Sequence, residues 1–587
     1  MSTSWPNGGY RAQIHIPITK DVQEWTLKFV FDRPIELLEI WTPYVEWHST
    51  TEFFTHSRVG FRVLRAGKDL DIEFVVRYAG NDIIYGDYYF NVLSYASTTK
   101  TTISTITTPT TTSTSTASTS TTTSTASVPT TTSFNPYPNV GLSNQSRHNY
   151  SEALRLSTMF YDAQRSGRLP PNNPVPWRRD SGLNDSDNGH DLTGGWYNGG
   201  DHVKFTMPMA FSTWVLEWGM YEFTNAYTSQ RQNICNMIKW PLDYFLKCWV
   251  EQNQTLYVQV GETSFEHAYW LSPEKMPTER PAFKIDSTCK GSDVAADTVS
   301  ALAAGFLVYR YVCQDSRYSY KLLSAAESLY KFAKNNRGLY SDCVTTSDRL
   351  YDSSNDWDEM STAAAWLYKA TYVKEYLNDA ESFYKTGLPR VFSWNDVNVG
   401  AASLLYDITS NDTYGDDIKD FILNFLPLRN VTYTPCGLVW RDQWGPNRYA
   451  ANAAFIALIA AKKGIQPELY KKFALSQINY ILGDNNLNIS YEIGYGHNYP
   501  LSPRHRASSC SGTSSPCMYL DPNPNPNILL GALVGGPDGN DVYTDKRTNY
   551  VQNEVALDFN AGFQSTLAGL VHFEKLHGLP SSPIRLC

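Results

Sequence analysis

Charge is scarce in this chain of 587 residues. Asp, Glu, Lys and Arg together make up 18%, and the net charge is −9. A chain this poor in cations is not built to grip a phosphate backbone, so nucleic acid is excluded as a partner. No apolar run approaches the roughly eighteen residues a bilayer span requires, so no membrane partner is expected. Cysteine is missing from the first 230 positions; all nine Cys come later, and an odd count leaves at least one unpaired. Neither a Cys-x-x-Cys pair nor an HExxH motif occurs, and nothing points to zinc. The opening MSTSWPNGGY has no basic segment followed by an apolar one, so a secretory leader is not read in it.

Other features point outside the cell. Seven Asn-x-Ser/Thr sequons occur, at Asn144, Asn149, Asn184, Asn253, Asn411, Asn430 and Asn488, and a secreted, extracellular glycoprotein is expected. Cys510 and Cys517 flank SGTSSP, a spacing that a disulfide would close into a short loop. Trp, Tyr and Phe reach 14% and hydrophobic residues 42%, so stacking faces are plentiful and packed cores are affordable. The length exceeds one ordinary core, and three regions are read: 1–96, 97–137 and 138–587.

Residues 1–96 contain short runs with partial alternation, YRAQIHIPI, EWTLKFVF, LLEIW, VGFRVL and LDIEFVVRY, separated by polar turns. Such spacing predicts a small all-β sandwich. Between 97 and 133, 29 of 37 positions are Ser or Thr. No core forms from that composition, and a disordered tether of roughly 110 Å is expected at about 3.1 Å per residue.

From residue 138 the pattern becomes helical. NYSEALRLSTMFYDAQRS, SDVAADTVSALAAGFLVYRYVC, MSTAAAWLYKATYVKEYL, RYAANAAFIALIAAKKG, ELYKKFALSQINYILG and EVALDFNAGFQSTLAGLVHFEKLHG carry the 3.6-residue period. Several are Ala-rich and apolar on more than one face, as helices packed in two concentric layers would be. The long Gly-, Pro- and aromatic-rich loops between them suit an all-α barrel whose site is built at one end.

Four stretches bear chemistry. In YTDKRTNYVQNEVALDFNAGF, residues 543–563, Asp545, Arg547, Tyr550 and Glu554 fall close together. A carboxyl beside aromatics and a fixed cation is what acid catalysis on a sugar acetal needs, though such a Glu also caps helices or pairs with Arg. In DLTGGWYNGGDHVKFTMPMAF, residues 191–211, the glycines permit close backbone approach to a ligand. Asp201 there reads either as a reacting carboxylate or as the N-cap of the following helix. GYGHNYPLSPRHRASSC, residues 494–510, places Arg504, His505 and Arg506 together, to bond sugar hydroxyls or to form a solvated basic loop. Trp440, Trp444 and Tyr449 flank a helix start, as sugar platforms or as core.

Taken in this order, and with EHAYWLSPEKMPTERPAFKID and KGSDVAADTVSALAAG between them, these stretches resemble the catalytic domain of glycoside hydrolase family 9 from about residue 145 to 577. The resemblance implies an (α/α)6 barrel of six helical hairpins and inverting hydrolysis of internal β-1,4-glucosidic bonds in cellulose or a related β-glucan. Glu554 then takes the place of the general acid and Asp201 that of the general base. Asp545 and His505 join the catalytic group; Asn198, Arg506, Tyr550 and Trp444 line the substrate. The family's Asp-Ala-Gly-Asp is Asn198-Gly199-Gly200-Asp201 here, so one water-positioning carboxylate is an amide. The family's paired His is Arg504-His505, so the first is lost. YDSSNDWDEMSTAAAW resembles a calcium loop of some members, with Ser354, Asp358, Glu359 and Asp396 as ligands of a structural Ca2+; the other reading is an acidic helix start. Catalysis itself is expected to need no cofactor.

WPNGGYRAQIHIPITKDVQEWTLKFVF, followed by LLEIW, resembles a family 2 carbohydrate-binding module. Trp5 and Trp41 match two members of its flat stacking strip, Trp25 matches its core Trp, and the third strip position falls near Gly60. The partners expected are cellulose or another β-glucan, with a monomeric chain. Two alternatives stand beside this reading. One is a catalytically weakened polysaccharide-binding or wall-assembly protein of the same ancestry; the other is a barrel enzyme acting on lichenan or chitosan.

Overall fold

Among the described residues after 148, twelve helices of eight or more residues carry most of the order, and their burial sorts them into two kinds. This computed structural model describes residues 148–587 except 268, 277–279, 347–349, 388–390, 428, 430, 513–516, 577 and 582–586. Before residue 148 it describes the backbone of eight strands. The chain divides into two compact units, Met1–Thr132 and Ser133–Cys587.

In the first unit, strands Thr3–Trp5, Gly9–Pro17, Asp69–Arg77 and Leu37–Ile40 form one antiparallel sheet in that order. Tyr44–Trp47, Glu52–His56, Val22–Phe31 and Gly86–Tyr95 form a second. Ile14, Ile16 and Ile18, alternate residues of one run, are buried, as the period of two requires. The run VGFRVL, the Ser/Thr-rich stretch and Trp41 lie outside the described residues. Trp5 ends the first strand.

In the second unit the helices are α1 (Tyr150–Ala163), α2 (Thr206–Glu222), α3 (Arg231–Cys248), α4 (Ser292–Tyr311), α5 (Ser316–Asn335) and α6 (Trp357–Thr371). They continue with α7 (Lys374–Phe383), α8 (Asn398–Thr409), α9 (Asp412–Leu423), α10 (Pro446–Lys462), α11 (Pro467–Leu482) and α12 (Leu557–Leu576). The even-numbered helices touch in a closed ring, α2–α4–α6–α8–α10–α12 and back to α2. They are buried on nearly every face, which is why their sequences lack a clear polar stripe. The odd-numbered helices α5, α7, α9 and α11 each pack on the inner helix before them, α3 packs on α2, and α1 packs on α12.

The inner helices fill the barrel with aromatics. Trp214, Trp218 and Trp366 are buried, and Trp218 meets Trp366 edge-on at 5.9 Å between ring centroids. Fully burying one large apolar side chain contributes on the order of 1.5–3 kcal/mol. Where α12 crosses α10, Gly562 faces Asn452 so closely that a Cβ would collide with the amide. Because each of the first five inner helices is followed by an outer one that packs against it, and α12 packs against α1, the six inner helices point the same way. Their N-termini, and the loops that enter them, therefore gather at one end.

The stretch MSTAAAWLYKATYVKEYL is two helices rather than one, because the chain turns left-handed at Tyr372. Asp201 caps no helix: α2 begins five residues later, with Phe205 as its N-cap and no side-chain cap bond. The helical reading from Glu554 is also corrected. Tyr550–Asn553 is a single turn, Glu554 is extended, and α12 starts at Leu557. No helix among the described residues is long and apolar enough to cross a membrane.

Candidate active site

Asp201, Tyr351, Trp444 and Glu554 lie in the loops that enter α2, α6, α10 and α12, and so at one end of the barrel. Backbone bonds join three of the segments. Gly199 bridges Ala556, and Arg504 bridges Glu554. The Leu557 N–H donates to Asn198 O at 2.9 Å, Arg504 N–H to Asn553 O at 2.9 Å, and Arg506 N–H to Gly200 O at 3.1 Å. Residues 198–201, 504–506 and 553–557 are thus neighbours, with 503–506 bonded to both of the others. The glycines are explained by that packing rather than by ligand approach: a Cβ on Gly199 would meet the Val555 carbonyl, and one on Gly200 the Arg504 carbonyl.

The Asp201 carboxylate is about one-fifth exposed. One oxygen is ion-paired with the Arg506 guanidinium, and the other lies 3.3 Å from His267 Nε2. Arg506 is only 1% exposed, so the expected sugar contact is corrected. Its guanidinium also donates to the Glu266 carbonyl at 3.0 Å and lies 4.7 Å from the centre of the Trp270 ring. Its charge serves Asp201. Asn198 donates from Nδ2 to the Tyr351 hydroxyl at 2.5 Å, while its buried Oδ1 has no hydrogen-bond partner.

Glu554 is half-buried, and the Trp444 indole N–H donates to its Oε2 at 2.6 Å. Burial pushes its carboxyl pKa up; the indole bond and the Arg504 charge oppose that, and Asp558 adds to it. Trp444 and Tyr550 are exposed, with ring centroids 5.4 Å apart. Arg504 stands 5.5–5.8 Å from the rings of Tyr519, Tyr550 and Trp270. A half-buried proton donor flanked by exposed rings and a fixed cation is suited to protonating the oxygen of a ring-shaped, uncharged substrate.

Two members of the expected catalytic group are placed otherwise. Both oxygens of Asp545 accept backbone N–H bonds, from Leu501 at 2.7 Å and Ser502 at 2.9 Å, so this carboxylate braces the loop ahead of Arg504. His505 is 3% exposed, with Nε2 2.8 Å from Gln164 Oε1 and Nδ1 accepting the Ser508 N–H at 3.0 Å. Neither nitrogen faces the groove. Arg547 is buried and holds Asn525 and the carbonyls of Met518, Asp521 and Asn523.

The calcium set is only partly assembled. Asp358 Oδ1 and both Glu359 oxygens are buried, and the two carboxyl groups lie within hydrogen-bond reach of each other, a pair of oxygen donors of the kind a hard cation takes. Asp358 Oδ2 accepts the Val397 N–H at 2.8 Å. Ser354 is exposed, its N–H donating to Asn395 Oδ1 at 2.8 Å. Asp396 does not join Asp358 and Glu359: among the described residues, the one set of three His, Cys, Asp or Glu donors within 4.8 Å is Cys436, Asp541 and Cys587. Those two thiols are spent in a disulfide. Disulfides also join Cys235 to Cys313, Cys289 to Cys343 and, as the spacing suggested, Cys510 to Cys517; Cys248 is free and buried.

Sequence reasoning passed over Gln164, His267, Trp270, Tyr351 and Tyr519. His267 and Trp270 sit in the EHAYW run, where an aromatic-His cluster was the available signal. Gln164 carried none.

Residues 150–567 match glycosyl hydrolase family 9. Endoglucanase A of Bacillus pumilus is 42% identical over 466 residues, 76% of this chain and 70% of its own length. Endoglucanase 13 of Arabidopsis thaliana is 39% identical over 72% of this chain and 93% of its own. An endoglucanase structure from the termite Nasutitermes takasagoensis superposes with a TM-score of 0.70 at 45% identity, covering 73% of this chain and 99% of that one. The cellulase Cel9M of C. cellulolyticum, solved with cellobiose, gives 0.68 at 37% identity over 73% and 99%. The class is therefore that of a glycoside hydrolase, an enzyme of the endoglucanase kind. Within it, the chain belongs to glycosyl hydrolase family 9.

Proposed function

We propose that this enzyme cleaves internal β-1,4-glucosidic bonds of cellulose or a related β-glucan with inversion, Glu554 acting as acid and Asp201 as base. The observation that carries the reading is the Glu554 environment: burial raises its carboxyl pKa, and Trp444 and Tyr550 supply faces for a glucosyl ring. Glu554 donates that proton to the leaving glycosidic oxygen. Asp201, ion-paired with Arg506, takes a proton from a water attacking the opposite face of the sugar. Inversion calls for carboxyl groups roughly 6.5–9.5 Å apart, leaving room for that water. The unpartnered Asn198 Oδ1 accepts the second hydrogen of the water but cannot take it. Reducing ends released from carboxymethylcellulose by wild type test the reading, and activity confined to lichenan or chitosan would redirect it.

The amide at 198 gives a second test. Asn198→Asp supplies the missing carboxylate, and Tyr351 can reverse its bond to donate to it. The expected result is a rise in kcat of about 3–10-fold, a part of the 10²–10⁴ typical of a positioned base. An unchanged or lower kcat would show the amide to be the fitter group.

The buried oxygens of Asp358 and Glu359 support a structural Ca2+ held by these two residues, outside the reaction. Removing it with chelator should lower Tm by about 5 °C, restored by added Ca2+. Equal melting curves with chelator and with Ca2+ would rule it out.

The first 96 residues are proposed as a carbohydrate-binding module, with Trp5 and Trp41 stacking on a crystalline glucan and the Ser/Thr-rich stretch as a tether that raises the effective substrate concentration. Converting both Trp to Ala should cut retention on crystalline cellulose about tenfold, near the 1–1.5 kcal/mol typical of aromatic stacking. Retention equal to wild type would assign the strip elsewhere. Four disulfides and the sequons support secretion of a glycoprotein, and a monomer is proposed.

A further inference from the structure

Each backbone carbonyl from residue 197 to 200 has a donor, and one side chain supplies two of them. Gln164 Nε2 donates to Tyr197 O at 3.0 Å and to Gly199 O at 2.6 Å. The other two, Asn198 O and Gly200 O, take the N–H groups of Leu557 and Arg506. Gln164 is the residue that ends α1, its own N–H bonded to the Phe160 and Tyr161 carbonyls. Its backbone carbonyl accepts the Tyr197 N–H at 2.8 Å, so main chain and side chain tie the same two segments together.

The amide cannot turn over. His505 Nδ1 accepts the Ser508 N–H, so the imidazole proton resides on Nε2 and is given to Gln164 Oε1 at 2.8 Å. The NH2 end is thereby committed to Tyr197 and Gly199, whose carbonyls only accept. Gln164 is 1% exposed and His505 3%, and burial keeps the imidazole neutral by pushing its pKa well below the ordinary value. No other side-chain type accepts one bond and donates two from a planar group of this length.

We propose that Gln164, oriented by His505, is a positioning residue for the reaction: its amide fixes the 197–200 segment and thereby the aim of the Asp201 carboxylate and the Asn198 amide. The inference rests on the reading of Asp201 as base. It also gives His505 a role that involves no contact with substrate. Four consecutive carbonyls tied to α1, α12 and the Arg506 segment leave the carboxylate little freedom except its own side-chain torsions.

Gln164→Leu keeps the volume and deletes all three side-chain bonds, while Gln164→Glu keeps the acceptor and deletes the donors. Both should lower kcat on carboxymethylcellulose about 10²-fold, the cost of a displacement near 1 Å, with KM changed less than about twofold. His505→Gln, which retains an N–H able to reach Gln164, should keep more kcat than His505→Leu. The deciding arm is a double-mutant cycle: in an Asp201→Asn background, Gln164→Leu should cost far less than in wild type, because the base it aims is gone and only the aim of Asn198 is left to lose. Wild-type kcat in Gln164→Leu overturns the inference, as does a full second loss on top of Asp201→Asn. So does a loss that appears only as a lowered Tm and folded fraction. Wild-type kcat in Asp201→Asn alone would instead remove the base assignment on which the inference stands.

Discussion

Glu554→Gln is expected to abolish most hydrolysis of carboxymethylcellulose, lowering kcat about 10²–10⁴-fold, while binding of short glucans persists. Gln matches Glu in size and still accepts the Trp444 N–H, so the loss reports the proton and not the packing. Burial raises the Glu554 pKa, and the acid is active only while protonated. In wild type, therefore, activity falls as pH rises through that value, later than for a solvated carboxyl. Arg504 works against the shift at every pH, since a guanidinium, unlike the imidazole the family usually places there, does not lose its charge. Reducing-end assays across pH measure this directly. A Glu554→Gln variant with wild-type kcat and the same alkaline limb would end the assignment.

Asp201→Asn is the second large effect, again about 10²–10⁴-fold in kcat. An amide cannot accept the proton of the attacking water. It also leaves the buried Arg506 guanidinium facing a neutral group, and an unpaired buried charge is costly, so a lower Tm should accompany the lost rate. The two consequences separate experimentally when kcat is measured well below the variant's Tm. Product released by wild type, followed by optical rotation or NMR, should first appear as the α anomer. Initial β anomer would mean retention and would give the 201 carboxylate a different task.

The helices that could be read from the sequence were those with Ala-rich runs and clear breaks, such as 292–311, 446–462 and 557–576. α2 shows in the sequence only as the helix Asp201 was free to cap, since a helix buried all round has no polar face to mark its period. α3, α5, α8 and α9 went unread behind loops and charged residues. Asp201, Glu554, Trp444 and Tyr550 stand out in the sequence through the resemblance of their stretches to glycoside hydrolase family 9, since residue chemistry alone leaves each a structural reading as well; the structure brings them to one end of the barrel. The directions in which Asp545, His505 and Arg506 point were not legible. A residue type tells which bonds it can make, and only the fold tells which partner arrives first. Gln164 is the extreme case, a common polar residue at a helix end whose partners lie 33, 35 and 341 positions away.

Closure of the inner ring has a consequence for synthesis. The two acids enter α2 and α12, the helices that meet where the circle joins, so one arises early on the ribosome and the other almost last. A nascent chain lacking α12 leaves apolar flanks of α2 and α10 uncovered and has nothing opposite Asp201. Such a chain exposes sticky surface for most of its elongation and gains the ability to cut glucan only in the final step of assembly.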